Sequence, residues 1–209
     1  RQYFRAGDRV MMDMDGNGSV YTSWPLQEDR VYAGSPLPKA SGGIVSTLNW
    51  KGFDVNVLFT YVLSRHILNA GKGASVGTSL GLEMDDLTLP IFADLDKVTF
   101  WQKPGDKTDF PVNRLEAGLG NFTTILSSNV ENVNYLKLKT LTIGYTLPQK
   151  WTRRAGMESA RVFISGENLF TITNYSGPDP ESVDVVTGVD NFGNYPLSTR
   201  VTLGLTLNF

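Results

Sequence analysis

Strict alternation of apolar and polar positions recurs along this chain and defines its elements. In VTLGLTLNF (201–209), Val201, Leu203, Leu205, Leu207 and Phe209 share one parity. Thr202, Gly204, Thr206 and Asn208 share the other, with Arg200 one step before them. A strand repeats every two residues, so one face is apolar and the other small or polar. FDVNVLFTY (53–61) alternates in the same way and is preceded by GIVSTLNW (43–50). Lys51-Gly52 between them predicts a tight hairpin. In YLKLKTLTIGYTLP (135–148), Lys137, Lys139, Leu141, Ile143, Tyr145 and Leu147 share a parity. That predicts a face that begins charged and turns apolar, as on a strand that projects from a membrane before entering it. Pro148 cannot donate to a ladder and ends the run. ARVFISGENLFTITNY (160–175) places Val162, Ile164, Phe170 and Ile172 opposite Arg161, Ser165 and Glu167, while Phe163, Asn168 and Leu169 break the rule. The predicted strands are 42–50, 53–66, 134–147, 160–174 and 198–209.

The connections alternate in length. Residues 51–52 and the basic stretch QKWTRRAGMES (149–159, with room for one helical turn) are short. Residues 67–133 and 176–196 are long, rich in Gly, Asp and Pro, with a short helix expected near 83–97. A structureless stretch of that length is unusual inside a compact soluble domain. Long loops at one end and short turns at the other are usual for an outer-membrane barrel. The expected fold is therefore all-β, an antiparallel transmembrane β-barrel segment of about five strands. It divides into an extracellular loop (1–41), a hairpin (42–66), a long extracellular loop (67–133) and three further strands (134–209). The expected lipid face holds Phe53, Val55, Val57, Phe59, Leu141, Ile143, Tyr145, Val201, Leu203, Leu205 and Leu207. Five strands cannot close a barrel, since the smallest have about eight. Open edges in lipid leave costly unpaired backbone groups. The remaining wall is expected from elsewhere in the same transmembrane object. The alternative is a soluble surface-binding β domain with a calcium-stabilised loop.

Composition narrows the choice. The chain has 209 residues, net charge −2, 19% charged residues and no cysteine. Disulfides and thiolate metal sites are excluded. No basic stripe with interleaved aromatics points to nucleic acid. No run reaches the ~18 apolar residues of a membrane helix. The opening RQYFRAGDRV has no apolar core of a signal peptide.

DMDGNGS sets Asp13, Asp15, Asn17 and Ser19 at alternate positions around Gly16 and Gly18. Oxygen ligands at that spacing form the opening half of an EF-hand-type calcium loop. The usual acid at its twelfth position is Trp24 here, and Glu28 and Asp29 follow later. The same residues also suit a metal-free turn. Lone His66 reads as a solvated residue at a loop base. The acid pairs Asp85-Asp86, Asp94/Asp96 and Asp179/Glu181 read as solvated loop charges, because nothing sets any pair at the separation glycoside cleavage needs. No enzyme is expected. Trp50 and Trp151 fall in the short connections and fit an interfacial aromatic belt. Trp101 and Tyr32 lie in loops, where aromatics stack on sugar rings or pack between loops.

NYLKLKTLTIGYTLPQKW, ARVFISGENLFTITNYSGPDPE and YPLSTRVTLGLTLNF resemble the C-terminal end of SusC/RagA-type TonB-linked outer-membrane transporters. AGSPLPKASGGIVSTLNWKGFDVNVLFTY, the DMDGNG loop and FWQKPGDKTDFP resemble the region before it. The resemblance implies a 22-stranded barrel with an N-terminal plug and a TonB-contacting segment, both absent from this sequence. It also implies a SusD-like lid lipoprotein and TonB-powered import of oligosaccharides or peptides in the outer membrane of a Gram-negative bacterium. It makes Phe209 the terminal aromatic read by the barrel assembly machinery.

Overall fold

A computed structural model describes residues 5–8, 10, 12–18, 29–70, 99–108, 111–112, 126–190 and 195–209. The proposed helix near 83–97, Ser19, and the Asp85-Asp86 and Asp94/Asp96 pairs lie outside them. The described strands are β1 (Ala40–Trp50), β2 (Phe53–Asn69), β3 (Val130–Thr146), β4 (Ser159–Thr173), β5 (Val189–Asp190) and β6 (Arg200–Asn208). They form one sheet in the order β1-β2-β3-β4-β6, antiparallel throughout, while β5 pairs in parallel with the far end of β2. The five expected strands are all present. β2 and β3 are longer than their alternation suggested, because β2 runs three residues past His66 and β3 begins at Val130.

The hairpin turn is Lys51-Gly52, both in the left-handed region. Gly52 also accepts from Thr146 at 2.8 Å, which locks the hairpin to β3. The β3–β4 connector contains a one-turn helix (Gln149–Thr152) followed by a 3₁₀ turn (Arg153–Ala155) and Gly156 in the left-handed conformation. Buried Thr152 donates toward the carbonyls of Gln149 and Glu158, which pins this connector.

The register sorts side chains into two faces. One row runs Leu48–Val55–Ile143–Ile164–Leu203, and the next Trp50–Phe53–Tyr145–Val162–Leu205. Every residue expected on the lipid face lies on this outer face, and most of its large side chains are exposed, Leu203 at 77%. From the Ala160–Leu207 row to the Leu136–Ile172 row the apolar band spans about ten residues, about 33 Å along a strand. Tilted by about 40°, that is about 25 Å, the height of an outer-membrane barrel's apolar belt. The inner face is polar, with rows such as Thr47–Asn56–Thr142–Ser165–Thr202. Thr47 donates to Asn56 at 2.9 Å, and Thr142 bonds Ser165 at 2.8 Å.

One expectation fails here. Lys137 and Lys139 do not head the apolar face of β3. A β-bulge at Lys139 shifts the register, so that Leu138 pairs with Phe59 and Phe170 while Lys137 pairs with Thr60 and Thr171. An extra residue reverses the parity of everything beyond it. Leu136 and Leu138 thereby join the outer face, and Lys137 points inward. On β4, Asn168 (φ +50°) and Leu169 are also extra residues. Leu169 folds back over Gly166, where any Cβ would lie 2.7 Å from its side chain. Phe163 belongs to the inner face, its ring lying over Gly204.

Candidate functional site

Past the apolar band, at the end of the sheet opposite the short turns, β2 and β3 continue and acquire a small core. Ile67, Val133, Tyr135, Tyr175 and Val183 are buried together. Tyr175 and Val183 come from the connection after β4, which therefore crosses the inner face. The stretch was expected to be a loop with solvated acids. Instead its acids are bound. Lys137, 2% exposed, reaches Asp179 at 3.1 Å and Glu181 at 2.8 Å. Lys139 holds Glu181 at 2.9 Å from the side. Asp179 also accepts from the backbone N–H groups of Glu181 and Leu197.

A buried lysine is expensive unless paired, and two carboxylates with two lysines neutralise the cluster. For Glu181, burial favours the neutral acid, but the hydrogen bonds from Lys137 and Lys139 outweigh it and hold the carboxyl below its ordinary value. With Glu181 held by two lysines, and Asp179 by Lys137 and two backbone N–H groups, neither is placed as a general acid or base for a glycosidic bond.

The rest of the crossing is fastened in the same manner. Tyr175 Oη donates to Asp190 at 2.5 Å. Burial, first, and this carboxylate push the phenol's pKa up. Ser176 bonds Glu131, and Asn69 donates to both. Buried Arg65 donates to the carbonyls of Pro36 (3.0 Å) and Asp184 (2.7 Å), tying the segment before β1 to the crossing. Asp184 accepts from the N–H groups of Val186 and Thr187, which hold its carboxyl below the ordinary range. His66 is no loop-base residue. It lies within β2, half-buried, with its ring over Gly34 (φ +133°), where a Cβ would come within 2.3 Å.

Asp13, Asp15 and Asn17 do come together, and Asp29 joins them. One carboxylate oxygen from each of Asp13, Asp15 and Asp29 lies within 4.8 Å of the others. Asp13 accepts from Gly16 N–H (2.7 Å) and Gly18 N–H (2.8 Å), and Asp29 accepts from Met14 N–H (2.7 Å). The bonds from Gly18 and Gly16 hold the Asp13 carboxyl below its ordinary value, against a smaller opposing effect of desolvation. The three carboxylates form a hard-oxygen set of the type calcium takes. Trp101 lies flat against Gly7 (φ +87°), while Tyr32 is 85% exposed. Phe209 follows β6 and is exposed.

An apolar belt of barrel height, a polar inner face and long connections at one end define the wall of a transmembrane β-barrel. No protein-family model matches the chain. Among curated proteins, TonB-dependent receptor P3 of Formosa agariphila is 30% identical over 97% of this chain. TonB-dependent receptor SusC of Bacteroides thetaiotaomicron is 23% identical over 97%. The chain spans 19% and 18% of their lengths. Solved structures of the RagAB peptide importer in its open-open and closed-closed states match 84% of the chain, at 26% and 27% identity and TM-scores of 0.59 and 0.58, over 18% of the importer chain. Over nearly its whole length the chain is similar to a segment of the barrel of SusC/RagA-type TonB-linked outer-membrane transporters.

Proposed function

We propose that this chain supplies barrel wall and vestibule to a TonB-dependent importer of oligosaccharides or peptides in the outer membrane of a Gram-negative bacterium. The observation that carries this is the apolar outer face, which no second layer covers among the described residues. A soluble β domain would leave that face in water, far beyond the few hundred Å² a monomer ordinarily exposes. The relatives' names speak for transport and reception, and those of the solved structures for peptide import.

In this reading the short turns face the periplasm, and the end bearing the Lys137 cluster faces outward. The crossing from Tyr175 to Asp190 then forms a fixed part of the vestibule. The partners are the rest of the same barrel and its plug, TonB, a SusD-like lid lipoprotein, the barrel assembly machinery and outer-membrane lipid. Trp101 and Tyr32 are cargo contacts in this reading, Tyr32 the more available. Its test is uptake of labelled peptides and oligosaccharides by cells carrying the intact transporter. Import that stops when TonB is removed supports the proposal, and import indifferent to TonB contradicts it.

Asp13, Asp15, Asn17 and Asp29 are assigned to a calcium ion, with Ser19 next in the motif. Chelation should then raise hydrogen exchange at 12–18 while β1–β6 stay protected, and unchanged exchange there would remove the ion from the account. Phe209 is assigned to barrel assembly. Its deletion should lower the amount inserted in cells far more than the stability of the inserted protein, and the reverse would make it only a packing residue.

A further inference from the structure

The short-turn end of the sheet carries a charge imbalance that the barrel wall itself does not require. The hairpin turn offers Lys51, and the β3–β4 connector offers Lys150, Arg153 and Arg154, all exposed. These two turns are neighbours, since Thr146 at the end of β3 donates to Gly52, and Phe53 stacks on Tyr145 with centroids 4.5 Å apart. Buried Thr152 fixes the helical turn, so the basic side chains around it stay outside. Of the nearby acids, Asp54 is engaged by Arg161 at 2.5 Å on the inner face, which leaves Glu158 in the connector against four cations.

The cations adjoin the lipid face. Trp50 ends the apolar row Trp50–Phe53–Tyr145–Val162–Leu205 beside the hairpin turn and is 62% exposed, with Lys51 Nζ 5.0 Å from its ring centroid. Trp151, also 62% exposed, stands among the connector cations. Aromatic rings anchor at the headgroup level of a bilayer. Cations at that depth meet phosphate, and each favours an anionic over a zwitterionic surface.

We infer that the two turns form a binding collar for anionic glycerophospholipid, with the phosphodiester at Lys51, Lys150, Arg153 and Arg154 and the glycerol region against Trp50 and Trp151. Charge complementarity and continuity with the lipid face select this occupant. The inference rests on the proposed orientation, because the turns then meet the inner leaflet.

Native mass spectrometry of the intact transporter, from bilayers of equal phosphatidylglycerol and phosphatidylcholine, tests it. The wild type should retain phosphatidylglycerol in preference, by about tenfold. The preference should collapse in K51Q/K150Q/R153Q/R154Q, and in the wild type at about 1 M salt, where charges are screened within about 3 Å. An equal ratio in wild type and variant overturns the collar. Should the variant fail to insert, a wild-type preference unchanged by salt overturns it equally. Inorganic phosphate at matched concentration should not displace the lipid, and displacement would mean a site for free phosphate instead. Lys150→Cys, labelled with a membrane-impermeant reagent, separates orientation from binding. Labelling only after the outer membrane is permeabilised supports the collar's leaflet. Labelling in intact cells contradicts the orientation, and the collar's leaflet with it, whatever the lipid ratio.

Discussion

Lys137 shows how much one side chain can organise when burial leaves it no alternative partner. Its ammonium is out of water and held by Asp179 and Glu181 on the connection that crosses the inner face. Lys137→Ala leaves Glu181 with Lys139 and Asp179 with two backbone N–H groups, and breaking a buried pair costs about 3–5 kcal/mol. The expected result is faster hydrogen exchange over 175–190 with the apolar band unchanged; unaltered exchange would show that the Tyr175–Val183 core suffices. The same bonds carry a pH dependence. Glu181 has a folded-state pKa below its ordinary 4.5. Its contribution is fully present above the ordinary value and is lost as pH falls through the lowered one. The crossing should therefore be insensitive to pH near neutrality and loosen only in acid below about 4.5, whereas loosening as pH rises would have the wrong sign. None of this was legible as a site. GPDPE read as a solvated acidic loop, because sequence does not reveal which inward lysine will meet it.

At the level of elements, strands were largely legible and irregularities were not. Alternation located β1, β2, β4 and β6 to within a few residues, since one apolar face forces period two. It misplaced the upper half of β3. A signal was present: Leu136 and Leu138 keep period two, Leu141 and Ile143 keep period two, and the step between the sets is three. A step of three in a strand marks an inserted residue, here Lys139. The bulge gives a sharp test. Deleting Lys139 would carry Lys137 to the outer face and Leu136 and Leu138 inward, and a lysine on the lipid side costs up to about 2–4 kcal/mol. Deletion should abolish insertion of the transporter, while Lys139→Ala, which keeps the residue count, should insert and lose only the contact to Glu181. Equal insertion of both variants would mean that the register does not depend on the bulge. The ends of β2 and β3 were missed for another reason. Past the band their inner side is covered by a distant segment, so Ile67 and Val133 are buried where no membrane alternation applies.

The whole molecule has one covered surface and one uncovered one. Its buried core lies at the loop end on the inner side. The broad apolar face lies outside with nothing over it among the described residues, and two sheet edges, β1 and β6, each have one described neighbour. Lipid is the solvent that suits such a face, and further strands of the same barrel suit such edges. The fold class was readable because alternation, loop asymmetry and strand length agree. The Asp13 motif was readable because its spacing is local, while its partner Asp29 arrives by folding. The most direct test is a nitroxide scan of β6 in the intact transporter, with one label at each position from 201 to 206. Labels at 201, 203 and 205 should be accessible to oxygen and shielded from a water-soluble nickel chelate, and those at 202, 204 and 206 should not share that shielding. Chelate access at 203 and 205 equal to that at 202 and 204 would put the apolar face in water and contradict the account.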